Sequence, residues 1–74
     1  MLKQKELKRR IGYLVDSINR HEEYLIHKKK QLEENPDSLA YQGMVKNNIE
    51  YVEELKEQLK EYEEQLKGMN NGNN

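Results

Sequence analysis

The sequence predicts an all-α fold, an antiparallel two-helix hairpin similar to a coiled coil, assembled into a homo-oligomeric helical bundle. Three observations lead to this prediction. Apolar residues recur at intervals of three and four in both halves of the chain. The only proline, Pro36, stands between the halves. The chain has 74 residues and no cysteine, so it is short for a self-sufficient core and has no disulfide to stabilise it.

The first helix is predicted at residues 2–34. Its apolar residues follow a heptad pattern, which places them on one stripe of the helix. Three consecutive lysines, at positions 28–30, lie in its last turns, where cations suit the helix dipole. The stripe consists of Leu7, Ile11, Leu14, Ile18, Leu25 and Leu32.

A turn and a second helix follow. Pro36 has no backbone donor and restricts the residue before it, so it ends the first helix. We expect Asn35 to cap the second helix with Pro36 in its first position, and Ser38 is an alternative cap. The second stripe consists of Tyr41, Val45, Val52, Leu55, Leu59, Tyr62 and Leu66. The predicted elements are a turn at 35–37, a helix at 37–67 and a disordered tail at 68–74.

So short a turn makes the two helices antiparallel neighbours. The polar interruptions of the stripes then fall in the half nearest the turn. Residues 1–10 are basic and would meet the acidic segment 57–64, which favours this register. The expected layers are Leu7 with Leu66, Ile11 with Tyr62, Leu14 with Leu59, Ile18 with Leu55, His21 with Val52, Leu25 with Asn48, Lys28 with Val45 and Leu32 with Tyr41.

Further apolar residues lie outside the stripes. Helix faces this wide usually contact more than one neighbour, so we expect a homo-oligomer, with a four-helix bundle of two hairpins as its simplest form. The expected oligomer or partner interface consists of Val15, Ile26, Met44, Ile49, Tyr51 and Tyr62.

Gly43 and Asn48 weaken the second helix near the turn. One interpretation is that Gly43 admits another backbone and that buried Asn48 fixes the register or the oligomeric state. Another is a site for an anionic, planar nucleotide, formed by a cation, an imidazole, amides and aromatic faces, although no glycine-rich phosphate loop accompanies it. In a third, Lys28 only extends its aliphatic stem along the seam. The ligand-binding residues would be His21, Tyr24, Lys28, Tyr41, Asn47 and Asn48.

The outer face of the first helix interleaves basic and aromatic residues, as nucleic-acid-binding surfaces do. Residues 1–32 carry nine Lys or Arg against four Asp or Glu. The whole chain is nevertheless at −1, with a pI near 6.1, which disfavours nucleic acid as the partner. The possible nucleic-acid face consists of Lys5, Arg9, Tyr13, Arg20 and His27.

The sequence argues against an enzyme. Ser17 and Ser38 are the only serines, threonine and cysteine are absent, and no carboxylate is placed to orient His21 beside Ser17. His27 and Glu23 alone do not make a metal site. We expect neither a metal nor a cofactor.

The predicted function is that of a small non-enzymatic interaction protein that binds a protein partner, as an inhibitor, an adaptor or a phage anti-defence factor does. The alternatives are sequestration of an anionic nucleotide, nucleic-acid binding and a purely structural role. No run of about 18 apolar residues is present. We therefore expect a cytoplasmic protein that does not enter a membrane.

Overall fold

The computed structural model describes residues 3–72, with side chains through residue 69. It contains two α-helices, α1 (Gln4–Glu34) and α2 (Leu39–Gly72), which pack against each other. The longest dimension is 56 Å, whereas one unbroken helix of these residues would be about 105 Å long. The chain therefore doubles back between the helices, and the predicted all-α helical hairpin is confirmed. Within the described residues, neither helix combines the length and the apolarity that crossing a bilayer requires.

The turn between the helices is closed by backbone and side-chain hydrogen bonds. The amide of Asn35 donates to the carbonyl oxygens of Gln31 and Leu32 at 3.0 and 3.1 Å, and its Nδ2 donates to Gln31 O at 3.2 Å. Ser38 N donates to Asn35 O at 3.0 Å, so Pro36 is the second residue of a four-residue turn, a position that its fixed φ suits. Asn35 thus caps the end of α1, and the prediction that it begins the second helix is wrong.

The alternative cap, Ser38, is the one that forms. Its Oγ accepts a hydrogen bond from Tyr41 N at 3.2 Å, the contact expected between an N-cap and the third helical residue. Gln42 Nε2 donates to Pro36 O at 2.9 Å and ties the first turn of α2 back onto the loop. The second helix therefore begins at Leu39 rather than at residue 37, because Pro36 and the residue after it are used by the turn.

The core is a single seam between the helices. The cluster of Ile18, Val52 and Leu55 is buried, with Leu14 and Leu59 packed against it. Leu7, near the open end, is fully buried. Burial of such a side chain contributes roughly 1.5–3 kcal/mol. Every other residue of the two predicted stripes is half-buried: Ile11, Leu25, Leu32, Tyr41, Val45, Tyr62 and Leu66.

The predicted ends of the helices need correction at the open end. α2 continues to Gly72, five residues past the predicted end at 67, so residues 68–72 are helical rather than disordered. The physical reason is that Met69 follows Leu66 by three residues and is half-buried, which extends the stripe by one turn. Lys3 is the N-cap of α1. Residues 1, 2, 73 and 74 lie outside the described residues.

The basic and acidic segments meet at the open end as expected, but the described side chains there form no ion pair between the helices. Among the side chains of residues 3–69, the ion pair between the helices joins Lys56 Nζ and Glu22 Oε1 at 3.6 Å, in the middle of the hairpin. Near the open end, Arg10 Nη1 instead donates to the Tyr62 hydroxyl at 3.4 Å. Long charged side chains in water gain little from pairing, which explains why opposite net charges on two segments do not produce specific contacts.

Candidate functional site

A groove with a volume of about 550 Å³ runs between the two helices on one side of the seam. Residues from one turn and a half of α1 and two turns of α2 line it. We refer to it as the lateral groove. Its lining residues are Arg20, His21, Tyr24, Met44, Asn47, Asn48 and Tyr51.

The floor of the lateral groove is held by a polar contact between the helices. Asn48 is 8% exposed, and its Nδ2 donates to the His21 carbonyl oxygen at 2.9 Å. His21 Nδ1 lies 2.7 Å from the Ser17 carbonyl oxygen. Because a carbonyl oxygen only accepts, this Nδ1 carries a proton. A slip of α2 along α1 would break the Asn48 contact, which is the kind of contact that the register interpretation requires.

The walls of the groove are aromatic and apolar. The Tyr51 ring meets the His21 ring edge to face, with centroids 4.8 Å apart and an interplanar angle of 66°. Tyr24, Met44 and Tyr51 remain 44%, 41% and 44% exposed. Half-exposed side chains of this size offer ready anchors for another molecule, since their remaining apolar surface still faces water.

Lys28 forms a cation–π cluster with two tyrosines on the side of the groove nearest the turn. Its Nζ lies 5.3 Å from the centroid of the Tyr24 ring and 5.6 Å from that of the Tyr41 ring. Both distances are typical of cation–π contacts, which contribute about 0.5–1 kcal/mol each at exposed sites. The ammonium group is therefore held between two rings and does not project into the groove.

The flank that contains the groove carries very little charge. On this side of the seam, the adjoining positions recur every seven residues in both helices. They hold eight residues, of which one, Arg10, is charged. On the opposite flank five of eight are charged, and two of these form the Glu22–Lys56 ion pair. In a chain that is 36% charged, one long side of the hairpin therefore carries a single charged residue, Arg10. We call it the uncharged flank: Arg10, Ser17, Tyr24, Gln31, Met44, Tyr51, Gln58 and Gln65.

The structure brings together most of the predicted ligand site. His21, Tyr24, Asn47 and Asn48 line the groove, while Lys28 and Tyr41 form the adjoining cation–π cluster. The sequence assigned the remaining lining residues elsewhere, with Met44 and Tyr51 in the interface and Arg20 on the nucleic-acid face. The heptad spacing of Met44 with Tyr51 places these two residues beside the seam of α2, but no comparable spacing in the sequence places Arg20 on the same surface.

The rest of the predicted interface is dispersed. Val15 and Ile26 are exposed on the other side of α1. Ile49 is half-buried on the flank opposite the uncharged flank. Tyr62 is half-buried at the seam, where its hydroxyl meets Arg10.

The predicted nucleic-acid face is exposed but does not form one basic cluster. Lys5, Arg9, Tyr13 and His27 are exposed along α1. Arg20 Nη2 pairs with Asp16 Oδ2 at 2.9 Å, with both side chains largely in water. This pairing reduces the positive charge available at Arg20.

No close approach between the two helices of the hairpin occurs at Gly43. A Cβ atom built at Gly43 would meet no neighbouring atom within 4 Å, and the same holds for Gly12 and Gly68. The interpretation that Gly43 admits another backbone is therefore wrong for the helices of a single hairpin, because α1 packs against another face of α2.

Within the described residues, no group of three or more His, Asp or Glu side chains could hold a metal ion. Fold and groove together define a helical hairpin with an open lateral groove. Comparison with protein-family models, with curated proteins and with solved structures found no match to this chain.

Proposed function

We propose that the protein is a non-enzymatic interaction protein that binds a helix of another polypeptide along the uncharged flank. The observation that carries this proposal is the coincidence of the lateral groove with the uncharged flank. Three half-exposed anchors, Tyr24, Met44 and Tyr51, stand on a flank whose one charged residue is Arg10. Arg20 is the one charged residue that lines the groove, so few charged groups would lose their hydration on binding.

The shape of the groove supports a helix as the occupant. The groove lies along the helix axes, and its α2 wall extends from Met44 to Tyr51, about 10 Å at ~1.5 Å per residue. An amphipathic helix presents apolar side chains over that length at positions i, i+3, i+4 and i+7. A third helix laid in the groove would complete a bundle around the half-buried side chains of the seam.

The thinness of the core supports a homo-oligomeric bundle as part of the same proposal. The described residues contain four buried hydrophobic side chains, Leu7, Ile18, Val52 and Leu55. A chain of this size usually needs a further source of apolar burial. Covering the groove with a helix would supply it.

Site-specific photo-crosslinking tests the proposal. A photoreactive phenylalanine analogue is placed at Tyr51 in the groove and, as a matched control, at Glu53, which is exposed on the other side of the same helix. We expect the probe at 51 to yield a discrete adduct with a polypeptide in the expressing cell and the probe at 53 to yield none. Equal labelling at the two positions, or no adduct at 51, would refute binding in the groove.

A second candidate function is binding of an anionic nucleotide in the same groove. The specific observation in its favour is that Arg20, His21 and Asn47 lie beside the rings of Tyr24 and Tyr51, so that anion-binding groups and stacking faces share one surface. A ligand that binds only the folded state raises the melting temperature.

Thermal melting with a panel of nucleotides therefore tests this second function. We expect a stabilising nucleotide to lose its effect with Arg20→Gln and to keep it with Arg9→Gln, a matched substitution at an exposed residue outside the groove. If no nucleotide shifts the wild-type melting temperature at millimolar concentration, this function is refuted.

A further inference from the structure

We propose that the occupant of the uncharged flank is a second copy of this chain, related by a two-fold axis parallel to the hairpin so that both open ends lie together. This inference rests on the proposed function and specifies the partner. It is carried by the residues that border the flank on either side, which form two rims of opposite character.

The rims are defined by helical geometry. A residue three positions after a flank residue lies next to it on the outer side. On α1 this rule selects Tyr13, Arg20, His27 and Glu34, and on α2 it selects Asn47, Glu54, Glu61 and Gly68. All eight are exposed. Glu34 stands beside the turn, and Gly68 carries no side chain. The rest of the α1 rim offers hydrogen-bond donors and a cation, whereas the rest of the α2 rim offers two carboxylates and an amide.

The levels of the two rims match. Ile18 packs with Val52 and Leu55 in the core, which places Arg20 within about one helical turn, ~5.4 Å, of the level of Glu54. The same register brings Tyr13 to the level of Glu61, and His27 to that of Asn47. Tyr13, Arg20 and His27 therefore each have a complementary α2 rim residue within about one helical turn of their own level.

A two-fold axis parallel to the hairpin brings the complementary rims together. Rotation about this axis leaves the position of each residue along the hairpin unchanged. It sets α1 of one copy against α2 of the other, with neighbouring helices antiparallel. Arg20, which pairs with Asp16 within the hairpin, then also faces Glu54 of the second copy, and Tyr13 faces its Glu61. An axis perpendicular to the hairpin that brought α1 against α1 would set one α1 rim against the other and leave Arg20 without Glu54 as its partner.

The available area is sufficient for a stable dimer. One long side of the hairpin, taken from its extents of 56 and 16 Å, covers roughly 900 Å², and stable interfaces bury about 800 Å² per partner. Tyr24, Met44 and Tyr51 would lie near the centre of that face. Their exposed surface would be covered by the equivalent residues of the second copy.

Charge exchange tests the pairing of Arg20 with Glu54 by sedimentation equilibrium. We expect the wild type to dimerise at micromolar concentration and both Arg20→Glu and Glu54→Arg to dimerise about tenfold more weakly. An equimolar mixture of the two variants should regain the wild-type affinity as a heterodimer, because both of its contacts again join opposite charges. A matched control, Glu53→Arg, should leave the affinity unchanged. A mixture no tighter than its components would overturn the arrangement.

Distance measurement tests the direction of the axis. The chain has no cysteine, so Lys67→Cys gives a single spin label near the open end. With the open ends together the two labels should lie about 25 Å apart, whereas a perpendicular axis on a hairpin 56 Å long separates them by roughly 45 Å. The longer distance would overturn the parallel axis.

Two outcomes separate this inference from the proposed function. A monomeric wild type that still crosslinks to a different polypeptide through residue 51 would overturn the second copy as occupant, and with it the homo-oligomeric bundle, and would leave helix binding along the uncharged flank standing. A dimer that persists unchanged in Tyr51→Glu would place self-association on another face and overturn this inference. Circular dichroism of each variant checks that the helices remain.

Discussion

Replacing Gly43 by alanine tests whether the face of α2 that carries this glycine is open in the folded protein. Gly43 lies within α2 and does not have a positive φ. Its added Cβ would meet no atom within 4 Å. The substitution should therefore gain the full difference in helix propensity, about 1 kcal/mol. For a chain of this size that gain raises the melting temperature by roughly 4–8 °C.

Gly12→Ala is the matched control for this substitution. Gly12 lies within α1, and a Cβ there is equally unobstructed. The two variants should therefore gain similar stability in thermal unfolding followed by circular dichroism at 222 nm. If Gly12→Ala stabilises while Gly43→Ala is neutral or destabilising, the space beside Gly43 is occupied in solution. That result would refute the reasoning from a single hairpin and show that another molecule approaches this glycine.

Three further substitutions and one control test the seam and the turn by chemical denaturation. Asn48→Ala should lower the free energy of unfolding by about 1–2 kcal/mol, because it removes the hydrogen bond to the His21 carbonyl and part of the packing. An unchanged value would show that this hydrogen bond does not stabilise the hairpin. Ile18 is 5% exposed, and Ile18→Ala should lower the free energy of unfolding by about 2–5 kcal/mol. Ile26 is 67% exposed, and the control Ile26→Ala should change it by no more than roughly 0.5 kcal/mol. Similar losses for the two variants would contradict the position of the core. Ser38→Ala should cost about 1 kcal/mol through loss of the bond from Tyr41 N, and no loss would show that this cap is dispensable.

The hairpin could be predicted because its signals are periodic and local. The stripes that include Ile18 and Leu55 require only the helical repeat, and Pro36 marks the turn by its covalent structure. The residue that caps the second helix was harder to predict. Asn35 and Ser38 are both good N-cap residues, and what decides between them is that the amide of Asn35 is already bonded to α1.

The groove could be predicted only in part, because it depends on which side of the seam a residue occupies. His21 and Asn48 interrupt the stripes and are visible as polar residues at core positions. Arg20 and Tyr51 come to the same surface from opposite helices, so neither helix read alone shows that they share it. Net charge was a poor guide for a similar reason, since the ion pair between Glu22 and Lys56 depends on their side of the seam rather than on the charge of their segments.

The side chains of the seam are less buried in one half of the hairpin than in the other, and this difference affects how a bound helix could be accommodated. Within the described part of the chain, Asn48 is the one buried side chain between residues 19 and 51. In the same half, Gln31 Oε1 is enclosed without a hydrogen-bond partner, a situation that costs roughly 1–3 kcal/mol. The lateral groove therefore stands on the less tightly anchored half, where side chains can rearrange around an incoming helix while the cluster at Leu55 keeps the two helices joined.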